Sequence, residues 1–144
     1  MLAVLAPVSV VDVPRLLAHA APVAVSAGFP SPAQDYYGGP VDLNEHLIKD
    51  PVSTFIVRVS GDSMIGAGIY DGDEILVDRS IDPRPGHVVV AVVDAELTLK
   101  RLASRGGQLR LCSENPDYPD IEIAEGSEAS IWGVVTANIH HQHV

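Results

Sequence analysis

Two residues of this chain have the types and settings for hydrolytic chemistry. Ser63 sits in Ser60-Gly61-Asp62-Ser63-Met64, a turn-like stretch, and Lys100 in the alternating run Glu96-Leu97-Thr98-Leu99-Lys100-Arg101-Leu102. A serine hydroxyl attacks a carbonyl carbon only when a base takes its proton. Lysine is such a base when neutral, which its reference pKa of about 10.4 prevents in water. Burial in an apolar site penalises the charged form and lowers that value by up to ~3–5 units. Acyl transfer also needs backbone N–H groups aimed at the developing oxyanion. Gly61 lets the turn approach a substrate closely, and the amides of Asp62 and Ser63 are candidate donors.

A third element lies upstream. Val25-Ser26-Ala27-Gly28-Phe29-Pro30-Ser31-Pro32 reads as an extended peptide in which Ala27-Gly28 joins two very small residues. Small side chains let a scissile carbonyl come within attack distance of a nucleophile. Each feature alone has an ordinary account. A strand lysine is usually solvated, a turn serine bonds its own backbone, and a proline-rich segment is a linker.

The elements that must hold these residues are mostly strands. Thr54–Ser60 alternates, Glu74–Asp78 is short and apolar, and His87–Asp94 is a near-continuous valine run expected of a buried strand. Asp94-Ala95 is a tight hairpin connection into Glu96–Ala103, a strand that carries Thr98, Lys100 and Leu102 on one face. Arg105-Gly106-Gly107 turns the chain into Gln108–Cys112. Asn115-Pro116-Asp117-Tyr118-Pro119-Asp120 is a loop, and Ile121–Ile123 and Ser130–Ile139 are the last strands. Asp42-Leu43-Asn44-Glu45 predicts a capped short helix ending before Pro51. Prolines at 7, 14, 22, 30, 32 and 40 keep residues 1–40 from long regular structure, with one short helix expected near Val13–Ala20. The expectation is an all-β fold, a small open barrel or sandwich of short strands, with a mostly irregular N-terminal arm over 1–40 and the chemistry in 41–144.

Bulk properties exclude several function classes. The 144 residues carry a formal net charge of −10, which argues against direct binding to nucleic acid or to an anionic membrane surface. Cys112 is the single cysteine, so a disulfide scaffold is excluded, and it reads as a small buried hydrophobe. The apolar run Met1–Val11 has no preceding Lys or Arg, is interrupted by Pro7, and is too short to span a bilayer, which needs ~20 residues. The chain is therefore expected to be cytoplasmic.

Ser60-Gly61-Asp62-Ser63-Met64, then Asp71-Gly72-Asp73, then Val89-Val90-Ala91 through Thr98-Leu99-Lys100-Arg101-Leu102, resembles the self-cleaving LexA/UmuD serine–lysine peptidase family. Ala27 through Tyr36, followed by Asp42-Leu43-Asn44, resembles its UmuD-like members, and the likeness covers residues 27–139 or so. The resemblance implies Ser63 as nucleophile, Lys100 as general base, the Asp62 and Ser63 amides as oxyanion hole, and Ala27-Gly28 as the scissile bond. It implies a LexA-like C-terminal domain for peptidase activity and dimerisation, no cofactor and no metal. It further implies an SOS-response mutagenesis protein whose cleavage is stimulated by a RecA–single-stranded DNA filament. The product would be a homodimeric accessory subunit of an error-prone, UmuC-like Y-family translesion polymerase.

Three rivals stand beside that reading: a non-cleaving binding module of the same fold, the peptidase part of a LexA- or phage-type repressor, and a signal-peptidase-like enzyme. The proline-rich first 26 residues are too short for a helix-turn-helix domain, and no membrane segment is evident. Other side chains are set aside. His140, His141 and His143 read as a frayed polar tail, His19, His46 and His87 as scattered, Glu125 and Glu128 as a solvated face, and Phe55 and Trp132 as core.

Overall fold

A computed structural model describes residues 2–7, 16–21, 24–25, 27–28, 39–124 and 129–144. In chain order the elements are β1 (Leu2–Pro7), β2 (Leu17–His19), β3 (Pro40–Asp42), the helix α1 (Leu43–Leu47), β4 (Thr54–Val59), β5 (Glu74–Asp78), β6 (Val88–Val93), β7 (Glu96–Arg105), β8 (Gln108–Cys112), β9 (Ile121–Glu122) and β10 (Ala129–Ile139). Two compact units emerge, residues 11–49 and residues 1–10 with 50–144. Among the described residues no helix is long and apolar enough to cross a membrane.

The smaller unit pairs β2 with β3, Leu17 opposite Asp42 and His19 opposite Pro40. Asp42 then caps α1, its carboxylate accepting the Asn44 amide at 2.9 Å, as Asp42-Leu43-Asn44-Glu45 predicts. The helix expected near Val13–Ala20 is not what forms over its described part: Leu17–His19 is a strand. Pro14 and Pro22 leave too few residues for a self-supporting helix, whereas a partner strand satisfies the backbone at once.

The larger unit is one open antiparallel sheet in the order β1-β4-β5-β10-β6-β7-β8-β9. Strand β6 has Val89, Val90 and Ala91 all fully buried, so both its faces are covered, as the valine run requires. Val90 joins Val57, Met64, Ile69, Ile75, Val77 and Leu99 in one cluster. Val89 and Ala91 join Leu102, Leu111 and Val134 in the other. Each such side chain is worth about 1.5–3 kcal/mol on burial. Strand β10 is long enough to serve two neighbours, its first half pairing with β6 and its second with β5. Gly133 permits this, because a Cβ there would lie 2.5 Å from Val77 Cγ1.

Two features depart from the sequence reading. Residues 2–7 form an edge strand on β4, from Leu2 opposite Val59 to Pro7 opposite Phe55, within the arm expected to be irregular. Pro7 ends that strand at the sheet's edge, where its missing donor interrupts no further ladder. The C-terminal histidines are not frayed throughout. The His140 ring bonds the Asp73 carboxylate at 2.5 Å and stacks at 4.9 Å from Tyr70, and His141 reaches Glu74 at 2.6 Å.

Asp73 is fully buried. Burial opposes its ionisation, but bonds from the Tyr70 amide, His140 and Asn138 outweigh that and hold the carboxyl below its usual range. Its contribution to stability is therefore present above the unfolded carboxyl's pKa and lost as pH falls through the lower folded value. His140→Ala should cost about 1–2 kcal/mol near neutral pH in urea unfolding, by leaving a buried carboxylate short of one partner.

Candidate active site

The segment after β4 is pinned before it reaches Ser63. Gly61 adopts φ +104°, a conformation L side chains rarely take, and donates its amide to Asp71 Oδ1 at 2.8 Å. The Gly72 amide donates to Val59 O and the Val59 amide to Asp73 O, both at 2.8 Å, so Asp71-Gly72-Asp73 holds the end of β4 against the turn. Met64 is 1% exposed and anchors the chain in the core beside Ser63. Ile65–Ala67 then makes one 3-10 turn.

A second loop embraces the first. The Glu114 amide donates to Ser63 O at 2.9 Å, and the Gly66 amide to Glu114 O at 2.8 Å. A Cβ on Gly66 would sit 2.6 Å from Glu114 O. Gly66→Ala should therefore push the two loops apart and destabilise the fold by about 1–3 kcal/mol in urea unfolding.

Lys100 reaches the same place from β7. It pairs with Val89 on β6, and its neighbour Arg101 pairs with Cys112 on β8, so ladders on both sides fix its backbone. Arg101 also bonds Glu114 and donates to Gly86 O at 2.7 Å. Lys100 is only 7% exposed, and its Nζ lies 3.4 Å from Ser63 Oγ. Desolvation by burial lowers its pKa. In the ammonium form Nζ donates to Oγ; once neutral it can accept the hydroxyl proton instead.

Ser63 and Lys100 open into a cleft of about 290 Å³, lined also by Val59, Ser60, Gly61, Asp62, Met64, Leu97, Thr98, Leu99 and Tyr118. The Asp62 and Ser63 amides have no hydrogen-bond acceptor among the described residues. The sequence reading named Ser63, Lys100 and Asp62, and all three line this cleft, with Lys100 Nζ and Ser63 Oγ in hydrogen-bond contact.

It did not single out Asn115 or Tyr118. Asn115, buried to 7% exposure, donates Nδ2 to Asp62 O at 2.9 Å, and Tyr118 donates its phenol to Asp62 Oδ1 at 2.6 Å. The only signal was a loop rich in Asn, Asp and Pro, which marks a turn and nothing more.

Ala27 and Gly28 form an exposed bend in the smaller unit, where an extended peptide was expected. Ser26 and residues 29–38 lie outside the described residues, as do Glu125 and Glu128. Phe55 and Trp132 pack against the first core cluster with ring centroids 5.2 Å apart, and the Arg79 guanidinium sits 4.8 Å over the indole. Cys112 is half-buried, and burial together with Asp120 raises its thiol pKa, which disfavours the thiolate.

The model of the Peptidase S24-like family matches residues 20–136. Protein SamA of Salmonella typhimurium is 45% identical over 114 residues, 79% of this chain and 79% of SamA. Protein MucA of Escherichia coli is 43% identical over 116 residues, covering 80% of this chain and 79% of its own length. The LexA repressor of Dechloromonas aromatica is 40% identical over 117 residues, 81% of this chain but 58% of the repressor.

Proposed function

The chain belongs to the Peptidase S24-like family as a UmuD-like member, and from that premise we propose that it is a serine–lysine peptidase that cuts its own Ala27-Gly28 bond. The observation that carries this reading is the 3.4 Å approach of Lys100 Nζ to Ser63 Oγ, with the lysine buried and its pKa lowered. No histidine is needed.

Neutral Lys100 removes the Ser63 proton as Oγ attacks the Ala27 carbonyl carbon. The resulting oxyanion is stabilised by the Asp62 and Ser63 amides. Collapse breaks the Ala27–Gly28 bond, with the lysine ammonium returning its proton to the departing Gly28 amine. Water, deprotonated by the same lysine, then hydrolyses the Ala27 ester and frees Ser63. The product is residues 28–144.

In the cell, a RecA filament on single-stranded DNA stimulates the cut as part of the SOS response, and the shortened chain acts in the cytoplasm as a homodimeric accessory subunit of a UmuC-like Y-family translesion polymerase. The family premise supports this assignment. The charge of −10 fits a role exerted through protein partners rather than DNA contacts.

The test is intact-mass spectrometry of the full chain after incubation at pH 10, and separately with activated RecA filaments at neutral pH. A species beginning at Gly28 in both is expected. A chain that stays full length in both would leave a non-cleaving binding module of the same fold.

A further inference from the structure

The loop after β8 holds the nucleophile's turn in a way the proposed mechanism does not yet use. Among the described residues all peptide bonds are trans, so the carbonyl of residue 62 and the amide of residue 63 point in opposite directions from one rigid plane. Whatever grips Asp62 O therefore sets where the Ser63 N–H points. Asn115 Nδ2 is that grip, at 2.9 Å, and the Ile65 amide shares the carbonyl at 3.4 Å.

Asn115 is itself fixed. It is buried, its Oδ1 accepts the Asp117 amide at 3.0 Å, and its carbonyl accepts the Tyr118 amide at 3.1 Å. The next peptide plane is held by the same loop, through the Glu114 amide on Ser63 O at 2.9 Å. Tyr118 adds a bond from its phenol to the Asp62 carboxylate at 2.6 Å, at the mouth of the cleft.

We propose that Asn115, seconded by Tyr118, is a positioning residue for the oxyanion hole: by clamping the Asp62 carbonyl and carboxylate, the loop aims the Ser63 amide at the carbonyl oxygen under attack. This rests on the self-cleavage reading above. Without the clamp the 62–63 plane is free to rock, and a donor misplaced by a fraction of an ångström loses most of its worth to the transition state. Tyr118 suits alkaline operation as well. The Asp62 hydrogen bond and charge raise its pKa, which favours the phenol as a donor.

The experiment compares wild type, Ser63→Ala, Asn115→Ala, Asn115→Asp and Tyr118→Phe as full chains at pH 8–10. It measures the first-order rate of appearance of the Gly28 fragment, with melting followed by circular dichroism. Folded Asn115 variants should cleave about 10²-fold more slowly, the worth of one oxyanion donor, and in the uncharged Asn115→Ala the midpoint of the pH–rate curve should be unmoved because Lys100 is untouched. Tyr118→Phe should be roughly 3- to 10-fold slower, on the scale of one hydrogen bond.

A purely structural role would lower the melting temperature and leave the rate of the folded protein alone. A wild-type rate in a folded Asn115 variant, or a shifted pH midpoint in Asn115→Ala, overturns the proposal. If neither Asn115 variant folds, an unchanged Tyr118→Phe rate overturns it. An uncut wild type would instead strike down the self-cleavage reading, as would a Gly28 fragment that forms equally from Ser63→Ala and so comes from a contaminating protease.

Discussion

Ser63→Ala should yield no Gly28 fragment, at pH 10 or with RecA filaments, while melting within a few degrees of the wild type. The substitution removes one oxygen from a half-buried turn and leaves Met64, Gly61 and the Glu114 contact to carry the local structure. Loss of a serine nucleophile in a hydrolase costs on the order of 10⁶ in rate, which places the variant below detection by intact mass.

Lys100→Arg is the sharper companion. Arginine keeps the charge and much of the bulk but never becomes neutral near physiological pH, so it cannot take the Ser63 proton. A fall of at least about 10²–10⁴, the worth of a general base, is expected. Appreciable cleavage by Lys100→Arg would mean that another group takes the proton, and the 3.4 Å contact would lose its proposed role.

The second large effect is with pH. The proposed mechanism requires a neutral Lys100, and below its pKa the neutral fraction grows about tenfold per pH unit. The cleavage rate should climb with that slope from pH 7 and level off below the reference lysine value of about 10.4, because burial lowers the Lys100 pKa. A flat rate from pH 7 to 10, with circular dichroism showing the fold intact, would exclude Lys100 as the limiting base.

The same depression links to stability. Between the folded and unfolded lysine pKa values the unfolded chain binds more protons, so stability rises with pH across that window. The Lys100 contribution is fully present above the unfolded value and lost as pH falls through the folded one. Below the folded pKa the site would be both less active and burdened with a buried ammonium, a balance that an activating partner could shift by favouring the neutral lysine.

Strands β5 and β8 fall on the residues predicted for them, and β4, β6, β7, β9 and β10 differ from prediction only at their ends. Period-two alternation and continuous valine runs reflect neighbours along the chain, so they are legible without the fold. The Asp94-Ala95 hairpin was legible too, and both residues adopt the positive φ such a turn demands, 50° and 64°. The edge strand β1 was obscured by the prolines that follow it. Its apolar residues acquire a β identity only beside β4, a partner some fifty positions on. The histidine tail was misread for a like reason: His140 is polar and terminal by sequence, and only the buried Asp73 carboxylate gives it a place.

By itself the sequence determined the period-two strands, the glycine turn, the serine and lysine proposed as the reacting pair, and the acidity that disfavours DNA contacts, because each is written in residue type and short-range spacing. Only the tertiary structure decided that Ser63 and Lys100, 37 positions apart, meet at 3.4 Å, and that Asn115, 53 positions from Asp62, grips its carbonyl. Those meetings depend on the sheet order, in which β10 enters between β5 and β6 and sets β4 and β7 across the core from each other. Sheet order is the outcome of packing the whole apolar set at once, and no window of local pattern contains it.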